Sequence, residues 1–166
     1  FFGMKVLRST DLGKTFKETK SGPAFPKDDG RALMNIWSLE PGETKKELFA
    51  GVEPASLFKS NDGGDSWQKV TGRGMPTEAM DRIGVGASVS NPNTVYMITE
   101  TLTQGVLFRS DDRGASWTMV SNDRNLSFRP FYYCDLRVDP KNPNRLFVLA
   151  GGLNVSDDGG KTFRGA

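Results

Sequence analysis

The sequence predicts an all-β fold assembled from repeated four-stranded antiparallel units, and three observations predict it. An eight-residue pattern, S-x-D-x-G-x-[ST]-[FW], occurs four times in 166 residues. Short apolar runs stand on both sides of the copies. Upstream of each of the last three copies lie two more strand-like segments, separated by a turn rich in Pro, Asn or Gly.

In chain order the copies are STDLGKTF from Ser9, SNDGGDSW from Ser60, SDDRGASW from Ser110 and SDDGGKTF from Ser156. Their serines are separated by 51, 50 and 46 residues, the length of one supersecondary unit. Apolar residues precede the copies in KVLRS, SLFKS, GVLFRS and LNVS, and an aromatic closes each copy before another short run, so strand, tight turn, strand is the expected local structure. The upstream strand pairs are MNIWSLEP with ELFAGV, RIGVGASVS with TVYMITE, and YYCDLRVDP with RLFVLAG. Between them stand LEPGETKKE, SNPNT and DPKNPNR, where Pro fixes φ and Asn tolerates left-handed geometry. The chain therefore reads as half a unit over residues 1–20 and complete units over 31–71, 81–121 and 131–166. Four antiparallel strands per unit of this length describe a β-propeller blade. Three and a half blades fall short of the about four to eight that close a ring, so the remainder is expected from further chain, another protein or self-association.

The repeated residues suit a self-locking turn. Asp11, Asp62, Asp112 and Asp158 can accept hydrogen bonds from turn amides, while Gly13, Gly64, Gly114 and Gly160 supply unusual φ values. Thr15, Ser66, Ser116 and Thr162 can close the loop through a hydroxyl. Phe16, Trp67, Trp117 and Phe163 then carry apolar surface that anchors each hairpin. A calcium loop would need more oxygen ligands and flanking helices, and a phosphate-binding loop would need glycines that open a helix. No metal and no cofactor is expected.

The pattern resembles the Asp-box, or BNR repeat, at all four sites. That family of β-propellers includes sialidases, endo-xyloglucanases and sortilin-type receptors. The resemblance covers almost the whole chain. From Asp81 onward the texture is closer to the sortilin-like group, and before it to other bacterial BNR proteins. Because such repeats serve enzymes and non-enzymes alike, the resemblance implies the fold more firmly than the activity. It favours an extracellular or periplasmic location. A sialidase would use an arginine triad, a tyrosine–glutamate pair and an aspartate acid, and a xyloglucanase two carboxylates across a cleft; no local motif assigns these roles to particular residues.

Composition narrows the chemistry further. The chain has 22 basic and 20 acidic residues, a net charge of +2, so no strong field selects nucleic acid or an anionic membrane, and no apolar run approaches the ~20 residues that span a bilayer. Histidine is absent, which removes Ser-His-Asp and Cys-His nucleophilic machinery and histidine-ligated zinc from this chain. Cys134 stands alone and forms no intrachain disulfide. The opening FFGMKVLRS shows no targeting signal, as expected if one was removed or if the chain starts elsewhere than the native terminus.

Strand alternation places the repeated turns, with the Pro-Asn turns, on one face. The longer connections fall on the other. Those connections gather Asp81, Arg82, Glu100, Asp123, Arg124, Arg129, Tyr132 and Tyr133, a mixture suited to sugars or acidic groups. Asp81 and Glu100 are the candidate catalytic carboxylates; Arg82, Arg124, Arg129, Tyr132 and Tyr133 are the candidate ligand contacts. The preferred expectation is a binding module for a glycan or extended peptide, with no turnover from this segment alone. The alternatives are part of a sialidase-like or xyloglucanase-like glycoside hydrolase, or a protein-assembly scaffold.

Overall fold

The computed structural model describes residues 4–128 and 135–166. Their strands form one hairpin followed by three four-stranded antiparallel meanders, in which each strand pairs with its neighbour in sequence. The hairpin is β1 (Leu7–Arg8) with β2 (Lys17–Glu18). The first blade holds β3 (Asn35–Pro41), β4 (Leu48–Glu53), β5 (Ser56–Ser60) and β6 (Gln68–Lys69). The second holds β7 (Gly84–Ala87), β8 (Val95–Ile98), β9 (Leu107–Ser110) and β10 (Thr118–Ser121). The third holds β11 (Asp135–Asp139), β12 (Asn142–Leu149), β13 (Leu153–Ser156) and β14 (Arg164–Gly165). A single 3-10 turn at Arg124–Ser127 is the one helical element among the described residues.

Stacking of the blades explains why the middle strands are apolar on both faces. In β8, Val95 and Met97 face a core shared with Phe49 and Leu57 of the first blade. Tyr96 and Ile98, alternating with them, face a second core shared with Leu136, Leu146 and Val148 of the third blade. Alternate side chains of a strand point to opposite faces, so one strand feeds two cores. Each fully buried side chain of this kind stabilises by roughly 1.5–3 kcal/mol.

The first strands β3, β7 and β11 lie side by side. β7 reads GVGA because the space is narrow: a Cβ at Gly86 would run into Leu136. Past this thin strand, Arg137 of the third blade reaches Glu40 of the first at 2.9 Å. Burial pushes the Glu40 carboxyl upward, and the Arg137 guanidinium works against that rise.

The four box aromatics, expected to anchor their hairpins, differ in burial. Trp117 is buried against Phe49 and Leu57, Phe163 is half-buried against the core between the second and third blades, and Trp67 is half-buried against a core of the first blade and the connection before it. Phe16 departs from the expectation, being 61% exposed. Trp117 and Phe163 are covered by the blade that precedes their own, and no blade precedes the hairpin among the described residues.

Candidate functional site

The four eight-residue turns share one hydrogen-bond scheme. The first serine hydroxyl donates to the aspartate Oδ1, at 2.7 Å in Ser9–Asp11 and 2.8 Å in both Ser60–Asp62 and Ser110–Asp112. Ser156–Asp158 follows at 2.9 Å. The same serine oxygen accepts the amides of Gly13, Gly64, Gly114 and Gly160. Oδ1 also accepts the amide of the residue four places after the aspartate, and Oδ2 accepts that residue's hydroxyl, as in Thr15 at 2.6 Å and Ser116 at 2.5 Å. These bonds hold the Asp11, Asp62, Asp112 and Asp158 carboxyls at about 2, below the ordinary 3.8, with the Thr or Ser hydroxyl the largest cause. Both oxygens are consumed inside the turn.

Backbone geometry explains the glycines. Two successive residues adopt positive φ, as in Arg113 at 59° and Gly114 at 86°; a Cβ at Gly114 would meet Trp117 and Phe49 only in ordinary contact, so the backbone conformation is what favours glycine there. The serine hub was legible as the first letter of every copy. So was a second device: the basic residue just before the serine reaches the next blade. Arg8 donates to the Gly63 carbonyl, Lys59 to the Arg113 carbonyl at 3.2 Å, and Arg109 to Asn144 Oδ1 at 2.7 Å. The fourth copy has Val155 there instead.

On the opposite face the long connections meet. The Asp81 amide donates to the Glu100 carbonyl at 3.1 Å, and Thr99 Oγ1 donates to the Asp81 carbonyl at 3.0 Å, so Asp81 is held as an extension of the sheet. Asp81, Glu100 and Arg124 line one cleft of about 410 Å³. Within it Arg124 donates to Glu100 Oε1 at 3.2 Å. Arg124 starts the 3-10 turn capped by Asp123, whose carboxylate accepts the Asn125 amide at 3.0 Å; Asp123 is thus engaged in local structure.

Asp81 also borders a neighbouring cleft of about 320 Å³, lined by Trp37, Glu53, Pro54 and Arg82. There the Arg82 guanidinium lies 4.9 Å from the centre of the Trp37 ring. A third groove, about 510 Å³, runs beside the 75–80 segment. Its Glu78 accepts the amides of Thr103 and Gln104 at 2.8 and 2.7 Å, bonds that lower its carboxyl and clasp two connections together. Arg129, Tyr132, Tyr133 and Cys134 lie outside the described residues. Among the described residues no group of three or more acidic or cysteine side chains is gathered for a metal ion, and no helix is long and apolar enough to cross a membrane.

The family model of the BNR-Asp box repeat matches residues 107–120, strand β9 through the third turn into β10. The chain is a run of Asp-box repeats. Three curated relatives align with it. It is 27% identical over 164 residues to a xyloglucanase of a Paenibacillus species, covering 93% of this chain and 15% of the relative. It is 30% identical over 140 residues to a xyloglucanase of Hypocrea jecorina, covering 73% of this chain and 16% of the relative. The third is an oligoxyloglucan-reducing end-specific xyloglucanase of Emericella nidulans, 25% identical over 114 residues, or 66% of this chain and 14% of the relative. The chain therefore spans a small part of the length of these relatives.

Solved structures agree on the propeller fold. The GH74 xyloglucanase of Xanthomonas campestris superposes with a TM-score of 0.65 at 17% identity, over 92% of this chain and 24% of that one. YCF48 bound to D1 peptide superposes with a TM-score of 0.61 at 16% identity, over 78% of this chain and 40% of that one.

In this Asp-box propeller the two faces differ chemically. The box carboxylates are occupied by their own turns. On the loop face, carboxylates and guanidinium groups border open clefts, an arrangement that sets hydrogen-bond acceptors and donors side by side. The structure brings Asp81, Glu100 and Arg124 together and sets Arg82 beside Asp81 in the adjoining cleft. Trp37, Glu53 and Glu78 are residues of this face that sequence reasoning did not single out. Trp37 reads as an ordinary strand residue in MNIWSLEP, and nothing local marks it.

Proposed function

We propose that this chain contributes the glycan-binding loop face of a glycoside-hydrolase-related propeller protein, with a xyloglucan-type β-glucan as its ligand. The observation that carries the reading is the convergence of Asp81, Glu100 and Arg124 in one cleft on the face opposite the boxes. Alignment with three proteins named as xyloglucanases supports the substrate class. Hydrolysis belongs, in this reading, to a longer protein, because the chain spans only 14–16% of those relatives. An extracellular site fits a polymer too large to enter a cell.

Affinity electrophoresis of the purified chain through gels containing xyloglucan tests the reading. The wild-type chain should be retarded, and Asp81→Asn and Glu100→Gln should each weaken binding several-fold without unfolding. Absence of retardation in a folded wild-type chain would sink the proposal. Robust hydrolysis of the glucan, lost by orders of magnitude in either variant, would instead locate a catalytic carboxylate here. A peptide ligand is the second reading. Arg82 and Arg124 on the loop face could pair with peptide carboxylates, and YCF48, of the same fold, is solved with a peptide bound.

A further inference from the structure

One position of each Asp-box meets the box of the blade that follows. The residue before the box serine is, in chain order, Arg8, Lys59, Arg109 and Val155, and the fourth residue of the box is Leu12, Gly63, Arg113 and Gly159. Arg8 donates to the Gly63 carbonyl at 3.5 Å and Lys59 to that of Arg113 at 3.2 Å, while a Cβ on Gly159 would stand 2.7 Å from Arg109 Nη1. At all three junctions the residue before one serine thus meets the fourth residue of the next box. Two members of the series are left over, Val155 at its end and Leu12 at its start. Both are apolar where the others are cations, glycines or an arginine.

The aromatic packing follows the same register. Lys59 stands opposite Phe49 in the ladder, Arg109 opposite Tyr96 and Val155 opposite Phe147. Opposite side chains share a face, and in the first two pairs the cation lies over the ring, 5.1 Å from the centre of Phe49 and 5.5 Å from that of Tyr96. Phe49 with Leu57 receives Trp117 of the next box, and the core of Tyr96 and Leu107 receives Phe163. In the third blade the corresponding pair is Phe147 and Leu153. Val155 brings no cation over it, Arg164 on the far side is paired with Asp157 at 3.3 Å, and Leu149 and Leu153 are exposed.

We infer that this outer face of the third blade binds the first hairpin of a second copy of the chain, head to tail. The hairpin carries what the junction lacks. Phe16 takes the place that Trp117 and Phe163 hold in the other junctions, and Leu12, as fourth residue of its box, falls opposite Val155. Leu7, Leu12 and Phe16 are all exposed, so an apolar surface is presented on each side. Because the two surfaces differ, the contact is heterologous and repeats until a ring closes. One copy fills four blade places, the first with a hairpin alone, and two copies fill eight, within the about four to eight of closed propellers. The contact stands whether or not the loop face holds a glycan.

Size-exclusion chromatography with light scattering should show the folded wild-type chain associating beyond the monomer, with the dimer as the closed form. Leu12→Lys spoils the hairpin side and Leu153→Lys the blade side, since each buries an ammonium in an apolar contact, and each alone should raise the dissociation constant roughly tenfold or more. Both positions are exposed, so circular dichroism should stay that of the wild type. Leu149→Lys replaces Leu153→Lys if the latter fails to fold. Mixed in equal amounts, the two variants should associate again, because the intact hairpin of the Leu153→Lys chain meets the intact blade of the Leu12→Lys chain. A wild-type chain that stays monomeric at high concentration overturns the proposal and leaves the face to a different partner. A mixture that stays monomeric overturns it too, as does a loss confined to one variant, which marks pairing of like faces.

Discussion

Ser116 donates twice to Asp112, its amide to Oδ1 at 2.7 Å and its hydroxyl to Oδ2 at 2.5 Å. With Ser110 bonded to the same carboxylate, the turn closes on itself without help from any other blade. Asp112→Ala should therefore destabilise the fold by about 1–2 kcal/mol, a modest value because the carboxylate is solvent-exposed and water can replace part of what is lost. Chemical denaturation of the variant measures it. Binding on the loop face should persist wherever the protein stays folded. Melting that depends on added calcium, and loses that dependence in the variant, would show that the turn holds a metal after all.

Acid sensitivity follows from the same bonds. The four box carboxyls stand at about 2 in the folded protein and return to the ordinary 3.8 on unfolding. On acidification the unfolded chain takes up protons first, so the contribution is complete above about pH 4 and is lost as pH falls toward about 2. Glu40, raised by burial, works in the opposite direction. Melting followed by circular dichroism should be steady down to about pH 5 and drop steeply below about pH 4. A melting temperature flat to about pH 2 would contradict the hydrogen-bond scheme.

The unequal burial of the box aromatics makes a third prediction. Trp117→Ala, at a position 5% exposed, should cost about 3–5 kcal/mol through the cavity left between two blades. Phe16→Ser should change stability little, since its ring is 61% exposed. The same variant should reduce self-association, because Phe16 and Leu7 at one end and Leu149 and Leu153 at the other are apolar surfaces with no blade against them among the described residues. Light scattering across a concentration series reads this out. A wild-type chain that stays monomeric at high concentration would argue against sticky ends.

The sequence by itself determined the blades, their order and the Asp-box turns. The physical reason is range: in each box the serine, aspartate, glycine and hydroxyl bonds join residues two to four places apart, so the pattern that makes the turn is also the pattern that can be read. Strand alternation likewise placed Asp81, Arg82, Glu100 and Arg124 on one face. Only the tertiary structure decided which of them meet. Arg124 reaches Glu100 across 24 residues, and Asp123 is spent on the turn that carries it. The exposure of Phe16 and the burial of Trp117 depend on whether a neighbouring blade covers them, which two equivalent motifs do not encode. Trp37 shows the same limit most plainly. Its aim toward Arg82 rests on a bulge held by Gly51 and by the approach of Ile83, contacts between chain segments far apart in sequence.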